Sequence, residues 1–293
     1  MTAVAGNLRA IRGMLAAVCM FAVMDTCMKL LAAGFPAMQV AALRALCSLP
    51  LVCVWMAWRG ALRSVLRVRW PLQLLRAALG IVTLGLFVYG VKALSLATAY
   101  SIFFVGPILI VAMSVFMLGE RVDAARWGAI GAGLLGVLVV LRPSGTGFLT
   151  LGGLAVLVSA ACYALSAISA RVLARTDRGE HMVFWVLLLM AAGAGALAAP
   201  GWVAIEARHL PLLAALALSG FLGQVAITVA FSHGEASVVA PFEYTALAAA
   251  IAIDWLLWHT LPDGATLLGA AIIIGSGLFL IRHESIRARP DPA

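Results

Sequence analysis

Residues 151–172 read LGGLAVLVSAACYALSAISARV, an apolar run whose only charge is Arg171, close to its end. A helix needs about 20 mostly apolar residues to cross a hydrocarbon core about 30 Å thick. The run therefore predicts a transmembrane helix. Its polar members Ser159, Tyr163 and Ser166 follow helical spacing, which predicts that one face of the helix is small and polar.

Similar runs fill most of the chain, which is 64% hydrophobic and 11% charged with a mean hydropathy of +1.09. This composition excludes an ordinary soluble domain, and it leaves no room for a nucleic-acid-binding module. The sequence predicts an all-α polytopic membrane protein. The predicted spans are 13–33, 37–58, 72–91, 95–118, 124–141, 151–172, 182–200, 211–232, 236–258 and 264–282.

Arginine and lysine concentrate on alternate connecting segments, which predicts the orientation of the chain. If the N-terminus is cytoplasmic, the outer segments hold only Lys92, Arg142 and Arg208. The inner segments hold Arg9, Arg12, Arg59, Arg63, Arg67, Arg69, Arg76, Arg121, Arg126, Arg171, Arg175, Arg178, Arg282, Arg287 and Arg289. The positive-inside rule then predicts ten crossings of the cytoplasmic (inner) membrane, with both termini in the cytoplasm and an uncleaved first helix.

The two halves of the chain resemble each other. Gly128 and Gly136 recur as Gly269 and Gly277 at an offset of about 140 residues, and each half holds five spans. An odd number of crossings per repeat places the halves in opposite orientations. We therefore expect two inverted five-helix repeats around a central cavity, at residues 1–142 and 151–283, followed by a cytoplasmic tail at 284–293.

The block ASVVAPFEYTAL at residues 236–247, the Gly269/Gly277 helix and Leu118-Gly119-Glu120-Arg121 resemble EamA-type members of the drug/metabolite transporter superfamily. The resemblance covers essentially the whole chain. It implies a ten-helix basket with alternating access, and in some members the export of amino acids, including aromatic ones. This chain departs from the family in having His259-Thr260 where Gly-Glu is usual, and Asp254 where glycine is common.

Charges inside predicted spans are costly and therefore mark candidate functional residues. Asp25 and Lys29 lie four residues apart on one helix face, and Arg44 and Asp254 lie at comparable depth. The four residues form either a structural ion-pair lock, or a gate that also binds the charged groups of a zwitterionic solute. Both interpretations stay open on sequence alone.

Glu243 follows Pro241 within the ninth span and has no base nearby in that span. An isolated intramembrane carboxylate is a candidate for proton coupling, although a hydroxyl or a loop arginine is an equally good partner for it. Pro107 and Pro241 predict helix kinks in the fourth and ninth spans.

Polar and aromatic side chains on the apolar spans are further candidates for the cavity wall. The alternative for any one aromatic residue is the lipid-interface belt or helix packing. The candidates are Tyr89, Tyr100, Phe104, Tyr163, Ser166, Gln224, Thr228, Tyr244, Trp255 and Trp258.

These features predict a secondary transporter of small organic solutes, most simply an exporter of amino acids or related metabolites, acting as a monomer or homodimer. Carriage of a drug, nucleoside or nucleotide-sugar is the alternative; a channel or an intramembrane enzyme is less favoured. No phosphate-binding loop, His-Glu-x-x-His pair or Gly-x-Ser-x-Gly elbow occurs in the sequence. We therefore expect no catalytic residue, cofactor or metal.

Overall fold

A computed structural model of the protein describes residues 3–94, 96–142, 150–259 and 263–287. These residues form helices and connecting turns, with no strand among them. The α-helices are α1 (Ala3–Leu31), α2 (Ala37–Trp58), α3 (Trp70–Ala93), α4 (Leu96–Phe103), α5 (Gly106–Met113), α6 (Ala124–Leu141), α7 (Leu151–Leu173), α8 (Gly179–Ala198), α9 (Leu210–His233), α10 (Ala236–Val239), α11 (Thr245–Trp258) and α12 (Gly264–Arg287).

The described helices make ten crossings long and apolar enough for a membrane. Helices α4 and α5, followed by a π-helical turn at Ser114–Leu118, form the fourth crossing. Helices α10 and α11, joined by a 3-10 turn at Ala240–Tyr244, form the ninth. Pro107 occupies the first turn of α5 and Pro241 the first turn of the 3-10 segment, so both prolines lie where a crossing is interrupted.

The pairing of the helices follows the two inverted repeats. Helix α1 packs against α9, and α3 packs against α7. Because α1 and α7 are the first crossings of the two halves, and α3 and α9 are the third, these two contacts are equivalent. Helices α2 and α8, and likewise α6 and α12, are equivalent crossings that pack directly against each other. The two halves therefore share one helical core.

The crossing of α6 and α12 is close because glycines face each other. A side chain on Gly136 would meet the carbonyl oxygen of Gly269 at 2.8 Å, and one on Gly269 would meet that of Gly136 at 2.6 Å. Small residues at such a contact let two helix backbones approach closely in a membrane. Gly128, on the same helix, has open space around it and takes no part in the crossing.

The chain turns between helices at residues with special backbone geometry. Asp123 and Thr150 cap the starts of α6 and α7 by accepting the amide hydrogens of Arg126 and Gly153. Gly119 and His259 end the fourth and ninth crossings in the left-handed conformation, with φ of 70° and 51°. Gly119 and His259 occupy equivalent positions in the two halves. The histidine therefore forms the same turn as the glycine that is usual at this position.

Helix α1 begins and helix α12 ends at the same end of the bundle, which we call the termini end, because the Asn7 amide donates to the Glu284 carboxylate at 3.1 Å. The other end is called the far end. Helices α1 and α12 extend past the predicted spans, so that Glu284 is a buried member of α12. Arg76 and Arg126 are likewise buried within helices instead of lying in the inner loops.

Candidate functional site

A charged cluster lies towards the far end, where α1 carries Asp25 and α2 carries Arg44. Asp25 is eighteen residues beyond Asn7, or roughly 27 Å along the helix axis. The two charges interact electrostatically, and the Arg44 guanidinium carbon lies 5.7 Å from the centre of the Phe21 ring. Lys29 lies one helical turn beyond Asp25 and is exposed. The side chain of Asp254 lies outside the described residues.

Aromatic rings run from this cluster towards the middle of the bundle. The ring centres are 5.4 Å apart for Phe87 and Tyr100, 6.4 Å for Tyr100 and Phe104, and 6.0 Å for Phe104 and Tyr244. The exposed fraction falls along this run, from 39% at Tyr100 through half-buried Phe104 to 0% at Tyr244. We call this run of rings, from exposed Tyr100 to fully buried Tyr244, the aromatic crevice.

The floor of the aromatic crevice carries polar atoms without partners. The Tyr244 hydroxyl and the Glu243 Oε1 are buried and make no hydrogen bond to the described residues. The Tyr163 phenol interacts with the Glu243 carboxyl, and the positive charge of Arg76 acts on Tyr163 from α3. Buried polar atoms are normally satisfied by a partner, so unpaired ones mark a place where a polar solute or water binds.

The termini end is closed by a buried ionic network centred on Arg126. Its Nε donates to Glu284 Oε1 at 3.0 Å, and its Nη1 pairs with Glu235 and donates to Ser237 Oγ at 3.3 Å. The Arg126 and Glu284 side chains are 4% and 1% exposed. Asn7 joins the network by accepting the Glu235 amide hydrogen at 3.0 Å. Residues of both halves thus meet at this seal, which we call the termini lock.

A second set of contacts supports the termini lock. Glu120 accepts the amide hydrogens of Ala236 and Ser237 at 2.9 and 3.0 Å, which fixes the start of α10. Arg171 donates to the carbonyl oxygens of Phe231 and Ser232 at the end of α9. The Leu118–Arg121 segment thereby connects the two halves.

Asp123 caps α6 at the edge of the termini lock. It accepts the Arg126 amide hydrogen at 2.9 Å, and its Oδ2 lies 3.0 Å from His283 Nε2. Burial acts to raise the pKa of the Asp123 carboxyl, but these hydrogen bonds and the nearby positive charges outweigh it and lower that pKa below its usual value.

The far end is held by an exposed ion pair and by the hydrogen bonds of one buried glutamine. Arg142 pairs with Asp263, connecting the end of α6 to the start of α12. Hydrogen bonds from Thr266 and from Arg142 lower the pKa of Asp263 to about 2. Gln39 exchanges two hydrogen bonds with the Val203 backbone, at 2.6 and 2.8 Å.

The structure brings together only some of the residues proposed from the sequence. Tyr100, Phe104, Tyr163, Glu243 and Tyr244 meet in or below the aromatic crevice. Ser166 is half-buried one turn beyond Tyr163, whereas Gln224 and Thr228 are buried on α9, where the Thr228 hydroxyl donates to the Gln224 carbonyl.

Two aromatic candidates lie apart from the crevice, and a third has a side chain outside the described residues. Tyr89 and Trp255 are 54% and 50% exposed, and neither stacks on a described ring of the crevice. The side chain of Trp258 lies outside the described residues.

Sequence reasoning missed Arg76 and the termini lock. Arg76 could have been found from the sequence, because it lies six residues into α3 and therefore within the crossing at residues 70–87. The partners Arg126 and Glu284 are 158 residues apart in the sequence, and no local pattern marks that pair.

Comparison with known proteins decides the family. The model of the EamA-like transporter family matches twice, at residues 8–142 and 150–282. This chain belongs to the EamA-like transporter family. It is therefore a multi-pass membrane transporter of a small molecule and not an enzyme.

Several relatives of this chain have named solutes. The chain is 30% identical over 230 residues to a riboflavin transporter of Rhizobium johnstonii, covering 77% of this chain and 75% of the relative. It is 28% identical over 265 residues to the pseudopaline exporter CntI of Pseudomonas aeruginosa, covering 90% and 93%. It is 28% identical over 196 residues to an S-adenosylmethionine uptake transporter of Rickettsia conorii, covering 67% and 66%.

A solved crystal structure shares the fold of this EamA-like protein. It superposes with a TM-score of 0.83 over 96% of this chain and 99% of that one, at 19% sequence identity.

Proposed function

We propose that the protein exports amino acids, aromatic ones included, or closely related metabolites across the cytoplasmic membrane by alternating access. The observation that carries the proposal is the aromatic crevice, which has an acid and a base at its mouth and unpaired polar atoms at its floor. Asp25 and Arg44 match the ammonium and carboxylate groups of a zwitterion, and the rings of Tyr100 and Phe104 match a flat side chain.

The names of the relatives support a solute that carries a flat ring system. Riboflavin carries a flat ring system, and S-adenosylmethionine carries an amino-acid group beside a purine. Relatives named for uptake and for export both occur, so the direction of net flux follows the gradient and the coupling, not the fold.

The closed termini end supports alternating access. Arg126 and Glu284 connect opposite halves of the chain in a buried contact, whereas the aromatic crevice is exposed at Tyr100. We propose that the halves, 1–142 and 151–283, move relative to each other, so that the termini lock opens as the far end closes. The charge pattern predicts that the termini end faces the cytoplasm.

Glu243 is the proposed coupling residue. Its carboxyl lies at the floor of the aromatic crevice, between the solute position and the termini lock, and it interacts with Tyr163. Proton uptake there would remove the charge and change the contact with Tyr163 once per cycle. Glu243→Gln should abolish the pH dependence of net transport while leaving solute exchange intact. An unchanged pH response would remove Glu243 from this role.

The test of the solute class is counterflow in liposomes that contain the purified protein. Vesicles loaded with unlabelled phenylalanine, tyrosine, leucine, riboflavin or a nucleoside are diluted into the labelled compound, with and without a pH difference. Saturable exchange of aromatic amino acids supports the proposal, and exchange of riboflavin alone favours that solute class instead. Flux without exchange would indicate a channel.

Matched variants connect the flux to the aromatic crevice. Asp25→Asn and Phe104→Ala should each weaken exchange about ten-fold or more, because each removes one proposed solute contact. Arg208→Gln is the control, since Arg208 lies in an exposed pair with Glu206 and makes none of the proposed solute contacts. Equal losses in all three variants would contradict the assignment.

Sidedness and assembly are tested separately. A protease site added after Ala293 should be cleaved only from the cytoplasmic side of the membrane. Cross-linking at low protein density then distinguishes a monomer from a homodimer.

A further inference from the structure

A cleft of about 420 Å³ opens at the termini end beside the termini lock, away from the aromatic crevice. Four arginines and two glutamates contribute to its wall: Arg121, Arg126, Arg171, Arg175, Glu120 and Glu235. We call it the arginine cleft. Gly119, with φ of 70°, provides the turn that brings Glu120 and Arg121 to its rim.

The negative charges of the arginine cleft are already engaged. Glu235 pairs with Arg126, which also pairs with Glu284 behind the wall. Glu120 accepts two backbone amide hydrogens and lies 4.0 Å from the Arg171 Nε. These acids therefore have little capacity left to neutralise further arginines.

The positive charges of the cleft are in excess. Arg121 and Arg175 are exposed at its mouth, and no carboxylate of the described residues lies within ion-pairing distance of either. Arg175 repels Arg171, and the buried Nε of Arg171 has no hydrogen-bond partner among the described residues. An anion between these guanidinium groups would satisfy the donor and relieve the repulsion.

We propose that the arginine cleft binds a phosphate group, held by Arg121, Arg171 and Arg175. Guanidinium groups bind phosphate oxygens through paired, charge-assisted hydrogen bonds, which ammonium groups do not match in geometry. The phosphate group belongs either to an anionic lipid in the membrane leaflet next to the termini end or to a dissolved phosphate ion. The site is separate from the solute crevice and does not depend on which solute the protein carries.

The test measures the apparent unfolding temperature of the purified full-length protein in a neutral detergent. One series adds phosphatidylglycerol, a second adds phosphatidylcholine, and a third adds sodium phosphate against sodium chloride at equal ionic strength. Equal ionic strength is necessary because salt alone screens the repulsion between exposed arginines. Stabilisation by phosphatidylglycerol alone identifies a lipid headgroup, and equal stabilisation by sodium phosphate identifies a dissolved anion.

Variants separate this site from general surface charge. Arg175→Gln should raise the half-saturating concentration at least about five-fold, and Arg121→Gln should do the same. Without anion, Arg175→Gln should unfold no earlier than the unchanged protein, since it removes the repulsion with Arg171. The matched control is Arg63→Gln, which removes an exposed charge from the α2–α3 connection at the same end.

Two results would overturn the proposal. The first is the absence of stabilisation by both phosphatidylglycerol and sodium phosphate. The second is an equal weakening in Arg63→Gln, which would show only a diffuse attraction to positive charge. If Arg175→Gln fails to fold, the Arg121→Gln titration decides alone, because Arg121 is exposed and outside the termini lock.

Discussion

The guanidinium Nε of Arg126 lies 3.0 Å from the carboxylate Oε1 of Glu284, although the two residues are 158 positions apart and belong to opposite halves of the chain. Both side chains are almost completely buried. The contact closes the bundle where α1 begins and α12 ends. We therefore expect its strength to affect both stability and access to the termini end.

Removing one partner of this contact should destabilise the protein more than removing both. Arg126→Gln leaves the Glu284 charge buried without its main partner, which costs about 3–5 kcal/mol in comparable buried pairs. The double change Arg126→Gln with Glu284→Gln should recover much of that loss. Apparent unfolding temperatures give the comparison, and amide hydrogen exchange at residues 235–239 should be faster in the single variant.

The control for this prediction is Arg208→Gln. Its pair with Glu206 is 72% and 60% exposed, so its loss should change the free energy of unfolding by no more than about 1 kcal/mol. Additive losses in the double variant would contradict the coupling between Arg126 and Glu284.

Asp123 should make stability depend on pH in the acidic range. Its folded pKa is lowered, so its contribution is fully present above the unfolded aspartate pKa of about 3.9 and disappears as pH falls through the folded value. Asp123→Asn retains an N-cap acceptor but cannot ionise. The difference in unfolding temperature between the two proteins should therefore be largest above about pH 4 and shrink steadily as the pH falls below that value. A difference that stays constant across this range would be inconsistent with the lowered pKa.

Two glycine substitutions on α6 should have different effects on the free energy of unfolding. Gly136→Ala forces a methyl group against the Gly269 backbone and should cost about 1–3 kcal/mol. Gly128→Ala meets open space and should be neutral, or stabilise by up to about 1 kcal/mol because alanine favours a helix. Unfolding in detergent measures both. The same loss in both variants would show that the α6–α12 crossing is not the cause.

The number and positions of the crossings follow from the sequence because bilayer thickness sets the length of each apolar run. The interruptions at Pro107 and Pro241 also follow, since proline has no amide hydrogen to donate. Which aromatic residues face inwards does not follow. Tyr89 is 54% exposed and Tyr244 is buried, and only the rotation of each helix against its neighbours decides between them.

His259 should tolerate, and benefit from, replacement by glycine. The residue is held in a left-handed conformation with φ of 51°, which costs a side-chain-bearing residue about 1 kcal/mol. His259→Gly should raise the free energy of unfolding by about that amount. The reciprocal change Gly119→His, at φ of 70°, should lower it. A destabilised His259→Gly variant would show that the imidazole makes a contact that outweighs the backbone strain.

Helices α6 and α12 are held at three levels: by Arg126 and Glu284 at one end, by the facing Gly136 and Gly269, and by Arg142 and Asp263 at the other end. The glycine contact lies between the two ion pairs. We expect the working motion to pivot there as the Arg126–Glu284 contact parts, with the strain taken up in the broken fourth and ninth crossings, where fewer backbone hydrogen bonds must be given up.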